Sequence, residues 1–181
     1  MSVLFGNEDN EKGFDVPSMP VADLVSSVKK AIVIKQSEMK EFGISIKNVE
    51  LTLKTVATTD SGASISLQIP VLGEIEFGSE VSTKSVQTIK IKLIPTEVQE
   101  IRKMELMDMD QTVVQSISSI IEGVKAAVDV DSIPLKLEEA SSEFNFVLSG
   151  DSKISMVIDS GFESELSNTL KINFKKRELI T

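Results

Sequence analysis

The 181-residue chain contains no His, no Cys, no Trp and no Tyr, and its only arginines are Arg102 and Arg177. A Ser-His-Asp or Cys-His site therefore lacks its base or its nucleophile. Zinc sites draw on thiolates or imidazoles in nearly every arrangement, so they lose their usual ligands. No disulfide can form, and a reducing, cytoplasmic setting is the expectation. Neither a Walker A loop nor a GxGxxG turn is present, which removes the common phosphate cradles. No stretch approaches the ~20 apolar residues that a membrane-spanning helix needs, and the opening residues show neither the basic start nor the apolar run of a secretory signal. The net charge of −9 and pI near 4.7 argue against nucleic acid, whose binding relies on cationic neutralisation of phosphates. Aromatic content of 4%, all Phe, leaves few platforms for stacking bases, and an anionic membrane surface is disfavoured by the same charge.

Two motifs invite a chemical reading and fail. Asn7, Asp9 and Glu11 alternate as in a calcium loop, but the sixth and twelfth positions, which need Gly and Glu, hold Lys12 and Ser18. Asp-Ser-Gly occurs at Asp60 and again at Asp159, as in the paired loops of aspartic proteases, where two carboxylates share a proton. The two copies fall in non-equivalent loops, and Asp, Ser and Gly are what tight turns select. No enzyme activity, cofactor or metal is expected.

What is present is periodicity, and it comes twice. Residues 21–95 and 112–177 each read as an amphipathic helix followed by three alternating strands. Val21, Leu24, Val25, Val28, Ile32 and Lys35 line one face of the first helix. Val113, Ile117, Ile120, Val124 and Val128 line the second. The expected inward residues of the first unit are Val49, Leu51 and Leu53, then Ile65, Leu67 and Ile69, then Ile89, Ile91 and Leu93. In the second they are Phe144, Phe146 and Leu148, then Ile154, Met156 and Ile158, then Leu170, Ile172 and Phe174. Turn-rich clusters at 58–62, 70–78, 149–151 and 160–161 separate the strands. One helix on three strands makes a thin core, so the two units should pack or join edges. The expected fold is α+β: a tandem duplication of helix plus three antiparallel strands, pseudo-twofold, with the helices on one face. Residues 1–17 read as a flexible acidic tail, 18–95 as the first unit, 96–109 as a linker with a short helix from Glu97, where Thr96 and Gln99 form a capping box, and 110–178 as the second unit.

Charge suggests where a partner binds. Lys54, Lys90 and Lys92 in one unit and Lys153, Lys171 and Lys175 in the other occupy polar-facing strand positions. Glu74, Glu76, Glu80, Glu163 and Glu165 crowd the loops before the third strands. Such a lysine face either blunts edge-to-edge aggregation or docks an acidic segment or an added strand. Off the apolar stripes lie Val33, Ile34 and Ile121, and Ile75 and Phe77 sit in a loop. Exposed together, these would form a partner site.

The helix opening ADLVSSVKKAI, the strand KNVELTLKTV and the closing strand STKSVQTIKIKLIP with its terminal Leu-Ile-Pro resemble the second type of trypsin-co-occurring domain, a small bacterial family. The resemblance covers residues 21–95, and the second unit looks like a diverged copy. It implies a non-catalytic accessory module, found beside or fused to trypsin-like peptidases in bacterial conflict or signalling systems; no peptidase segment is present here. The expected function is a protein-binding or assembly module with a protein partner, homo-oligomerisation being compatible with its open sheet edges. The alternative is a carrier of a small hydrophobic ligand held in a groove between the two units.

Overall fold

The computed structural model describes residues 18–59, 65–72, 86–96, 108–128, 137–150, 154–156 and 166–177. In chain order these form β1 (Ser18–Pro20), α1 (Val21–Glu41), β2 (Ile44–Thr59), β3 (Ile65–Leu72), β4 (Val86–Leu93), α2 (Asp108–Val128), β5 (Glu139–Ser149), β6 (Ile154–Met156) and β7 (Asn168–Lys176).

α1 starts directly after Pro20, whose φ of −56° and ψ of 134° set an extended entry without a side-chain cap. Asp23 in the first turn and Lys40 in the last complement the helix dipole instead. The helix ends at Gly43, with φ of +69°, whose N–H donates to the Lys40 carbonyl. This left-handed residue turns the chain straight into β2. A Cβ at Gly43 would meet nothing within 4 Å, so the cost of Gly43→Ala is all backbone. It is expected to lower stability by about 1 kcal/mol, read as a shifted denaturation midpoint with an unchanged slope.

All seven strands join one mixed sheet, and β2, at 16 residues, is its spine. Val49 stands opposite both Leu93 of β4 and Ile172 of β7, so those two strands take opposite edges of β2. Val56 stands opposite both Val86 of β4 and Gln68 of β3. β3 therefore continues along the edge that β7 occupies first. β5 lies beyond β7, with Phe144 opposite Leu170, and β6 pairs antiparallel with the end of β5. Residues Val71 and Leu72 of β3 run parallel to Leu148 and Ser149 of β5, which requires the sheet to coil sharply at that corner.

The alternation of β2 contains one phase change. The register slips between Ile46 and Asn48, leaving Lys47 as a bulge. One extra residue lets Ile44 and Ile46, and then Val49, Leu51 and Leu53, all face inward. With Ile69, Phe146, Leu148, Leu170, Ile172 and Phe174 they meet the buried faces of both helices in a single core. The helices thus cover one face of the sheet, as expected.

Several details differ from the sequence expectations. β1 is an added strand, pairing Ser18 with Pro70 and Met19 with Ile69. Pro70 therefore belongs to a strand rather than to a turn. Ile65 is 73% exposed, because it sits at the far end of β3, past the helical cover. Ile89, Ile91 and Leu93 are only half-buried, since β4 is an edge strand. Ile121 is buried and Ile120 half-buried, so the face of α2 is rotated slightly from the expected one. α2 begins at Asp108, inside the stretch assigned to the linker. The short helix from Glu97, the tail at 1–17, Ile158 and both Asp60 and Asp159 lie outside the described residues.

The strand equivalence also needs adjustment. Ile89 stands opposite Leu53 and Leu170 opposite Phe144. If Ile89 corresponds to Leu170, then Leu53 corresponds to Phe144 and not to Leu148. A pseudo-twofold relation would join the units through like strands. The observed junction is between β2 and β7, the first strand of residues 21–95 and the third of residues 112–177.

The helices are tied by Lys125, whose Nζ donates to Glu38 Oε1 at 2.6 Å and to Glu122 Oε1 at 2.8 Å while Lys35 donates to Glu38 Oε2 at 2.8 Å. Hydrogen bonds from Lys125 and then Lys35 outweigh the modest burial of Glu38 and hold its carboxyl at about 2, below the usual 4.5. Lys125 moves upward, chiefly through Glu122 and then Glu38. A carboxylate with a depressed folded-state pKa stabilises above its unfolded value, and that contribution fades as pH falls through the folded one. The wild type is therefore expected to lose more stability between pH 4.5 and pH 2 than Glu38→Gln, as monitored by circular dichroism at stepped pH. Equal losses would remove Glu38 from the acid response.

Candidate functional site

The face of the sheet turned away from the helices is polar, and strand pairing organises it in rows. Lys92 of β4, Glu50 of β2, Lys171 of β7 and Glu143 of β5 stand opposite one another in sequence. Their signs alternate across four strands. Lys92 Nζ lies 3.6 Å from Glu50 Oε1, with both side chains well exposed. The next row holds Lys90, Thr52, Thr169 and Asn145, where Thr169 donates to Asn145 Oδ1 at 2.8 Å. Lys54 donates to Thr88 Oγ1 at 3.0 Å. Lys175 stands opposite Ser45 on one side and Glu139 on the other, and Lys47, pushed out by the bulge, reaches Glu139 at 2.7 Å.

A shallow polar depression of about 450 Å³ opens on this face between Lys47, Glu50, Lys92, Glu139 and Lys171. Its floor is fixed: Asn173 Nδ2 donates to Asn48 Oδ1 at 2.7 Å and to Glu50 Oε1 at 3.3 Å. Asn48 is buried, so its carboxamide has its partner where water has little access. Exposed pairs of this kind each contribute at most about 1 kcal/mol. Their pattern nevertheless offers specificity to a charged polypeptide surface.

Of the residues singled out from sequence, Lys54, Lys90, Lys92, Lys171 and Lys175 share this one face, although they come from both units. Lys153, Ile75 and Phe77 lie outside the described residues. The interleaved Glu50, Glu139 and Glu143 were missed. The available signal was parity: Glu50 alternates in phase with Lys54 along β2, and Glu139 and Glu143 alternate out of phase with Phe144 and Phe146 along β5.

A second feature lies along the β4 edge. An apolar groove of about 470 Å³ runs between α1 and β4, lined by Lys29, Ile32, Val33, Gln36, Leu93 and Ile94 among others. Ile94 is 71% exposed. By helical spacing this groove is on the opposite flank of α1 from Glu38 and α2. It adjoins a strand whose outer edge has no paired strand among the described residues.

Among the described residues no three carboxylates gather as metal ligands, and no helix is long and apolar enough to cross a membrane. Residues 19–95 match the family model of trypsin-co-occurring domain 2. No curated protein and no solved structure matches the chain.

Proposed function

We infer that trypsin-co-occurring domain 2 serves here as one half of a non-catalytic protein-binding or assembly module, a diverged copy of it forming the other half. Two observations support the duplication. β2 lies between β3 and β4, antiparallel to both, and β5 lies between β6 and β7 in the same way. The observation that carries the binding role is the exposed charge row, which ends in Lys92 on an edge strand beside an apolar groove. A strand edge, an apolar groove and a patterned charged face together are what β-augmentation uses to recognise another polypeptide. The inventory of side chains agrees: with no thiol and no imidazole in the chain, the face can hold a partner but has few means to transform it. By the family's associations, the module works as a cytoplasmic accessory component of a bacterial conflict or signalling system.

Co-expression with the products of adjacent genes, followed by affinity purification, tests this reading. A retained protein partner that is lost on Lys92→Glu and Val33→Asp supports it. The groove also gives the carrier reading a specific basis, since its apolar walls could enclose a small hydrophobic molecule. Native mass spectrometry of gently purified protein separates the two: a co-eluting ligand with no retained protein would overturn the binding-module reading.

A further inference from the structure

We propose that the partner of the β4 edge is a second copy of this chain, which supplies the open edge of its β5. The inference rests on the assembly reading above and makes it specific. Phe146 stands opposite both Asn168 of β7 and Met156 of β6, so β6 lies on the edge of β5 that β7 does not use. There β6 covers only Phe146–Leu148. The preceding stretch of that edge, from Glu139 to Asn145, has no paired strand among the described residues.

The same arrangement exists once already inside the chain, with its vacancy filled. β3 pairs with the end of β2 at 56–59, and β7 fills the stretch before it at 44–52. β4 is to the first unit what β7 is to the second, and its outer edge has no paired strand among the described residues. Joining β4 to β5 of another copy repeats the β2–β7 junction and keeps the pairing antiparallel. Carrying the β2–β7 register across sets Lys92 opposite Glu139 of the second copy and Lys90 between its Glu139 and Glu143. The charges agree, since this register brings the exposed cations of β4, Lys90 and Lys92, against the exposed anions of β5, Glu139 and Glu143, all of them on the polar face of the sheet. The core face agrees as well. Ile89 and Ile91 on β4 and Phe144 on β5 are half-buried, whereas Leu170 and Ile172 on the doubly paired β7 are buried. Two junctions related by a twofold axis close the strands β4, β2, β7 and β5 of both copies into an eight-stranded ring, which leaves neither of these edges exposed.

The test exchanges charges between the two edges. The double variants Lys90→Glu/Lys92→Glu and Glu139→Lys/Glu143→Lys alter exposed side chains, and circular dichroism checks that each still folds. Sedimentation velocity at micromolar concentration should find the wild type dimeric and each variant alone dissociating at least about tenfold more readily, because like charges then face each other. Mixing the two variants should restore the dimer, since both junctions regain opposite charges. As a second arm, the cysteine-free chain permits Lys92→Cys and Glu139→Cys: the mixture should form a two-chain disulfide, and neither variant alone should. A monomeric wild type overturns the inference, and if a neighbouring-gene product is still retained the module reading stands without it. A dimer indifferent to charge reversal, or Lys92→Cys cross-linking to itself, also overturns it. A dimer restored by mixing, with no other protein retained, upholds the inference while removing the need for a separate partner.

Discussion

Phe174→Ala is expected to lower the stability of the whole chain by about 3–5 kcal/mol, the usual cost of truncating a buried aromatic ring. Phe174 is 1% exposed and belongs to the second unit by sequence. It nevertheless stands opposite Ile46 of the first unit on one side and Ala140 on the other. Its ring therefore fills the common core beneath the β2–β7 junction, and the hole left by Ala has strand backbone on both sides that cannot collapse into it. A domain of this size is stable by only about 5–15 kcal/mol, so the loss is a large share of the total. With no Trp or Tyr to report by fluorescence, denaturant titration followed by far-ultraviolet circular dichroism is the suitable measurement. Phe174→Leu, which leaves less empty volume, should cost markedly less. One shifted transition is the expected result; a split into two, with one unmoved, would mean that the units fold separately.

Asn168→Ala is expected to cost about 1–3 kcal/mol through unsatisfied backbone rather than lost packing. Asn168 is 1% exposed and begins β7 where three strands converge. Its Oδ1 accepts from the Lys54 backbone N–H at 2.9 Å, and its Nδ2 donates to the Phe146 carbonyl at 3.4 Å. One carboxamide thereby joins β2 to β5 at the point where β7 begins, next to the stretch of the β2 edge that β3 occupies. Alanine would leave the N–H of half-buried Lys54 and the buried carbonyl of Phe146 without these bonds. Asn168→Asp discriminates between the two contacts: it keeps an acceptor for Lys54 but has no donor for Phe146, and should fall at or below the alanine variant at neutral pH. A change below about 0.5 kcal/mol in either variant would contradict the role given to this residue.

Much of the fold was legible because alternation fixes which face a strand buries. Leu51 and Leu53, Leu170 and Ile172, and Leu24 and Val28 all face the core as their spacing indicates. Alternation does not say which strand lies alongside, and here the decisive neighbours are far apart in sequence. β2 pairs with β7 across more than a hundred residues, so that junction left no local trace. β1 was hidden because its partner residue Pro70 reads as part of a turn, although an edge strand tolerates proline. The exposure of Ile65 depends on how far the helices reach over β3. The candidate site was half visible. Its lysines were evident from parity, whereas Glu50 lying between Lys92 and Lys171 follows only from strand order.

The claim on which the rest depends is that both units share one sheet through β2 and β7. Amide hydrogen exchange of the intact protein, read by mass spectrometry, addresses it directly. Residues 49–53 of β2, 169–173 of β7 and the facing stretch of β5 should exchange together, by one global opening, and Phe174→Ala should accelerate all three by the same factor. If residues 49–53 kept their protection while β5 and β7 opened independently, the continuous sheet and the assembly drawn from it would be contradicted.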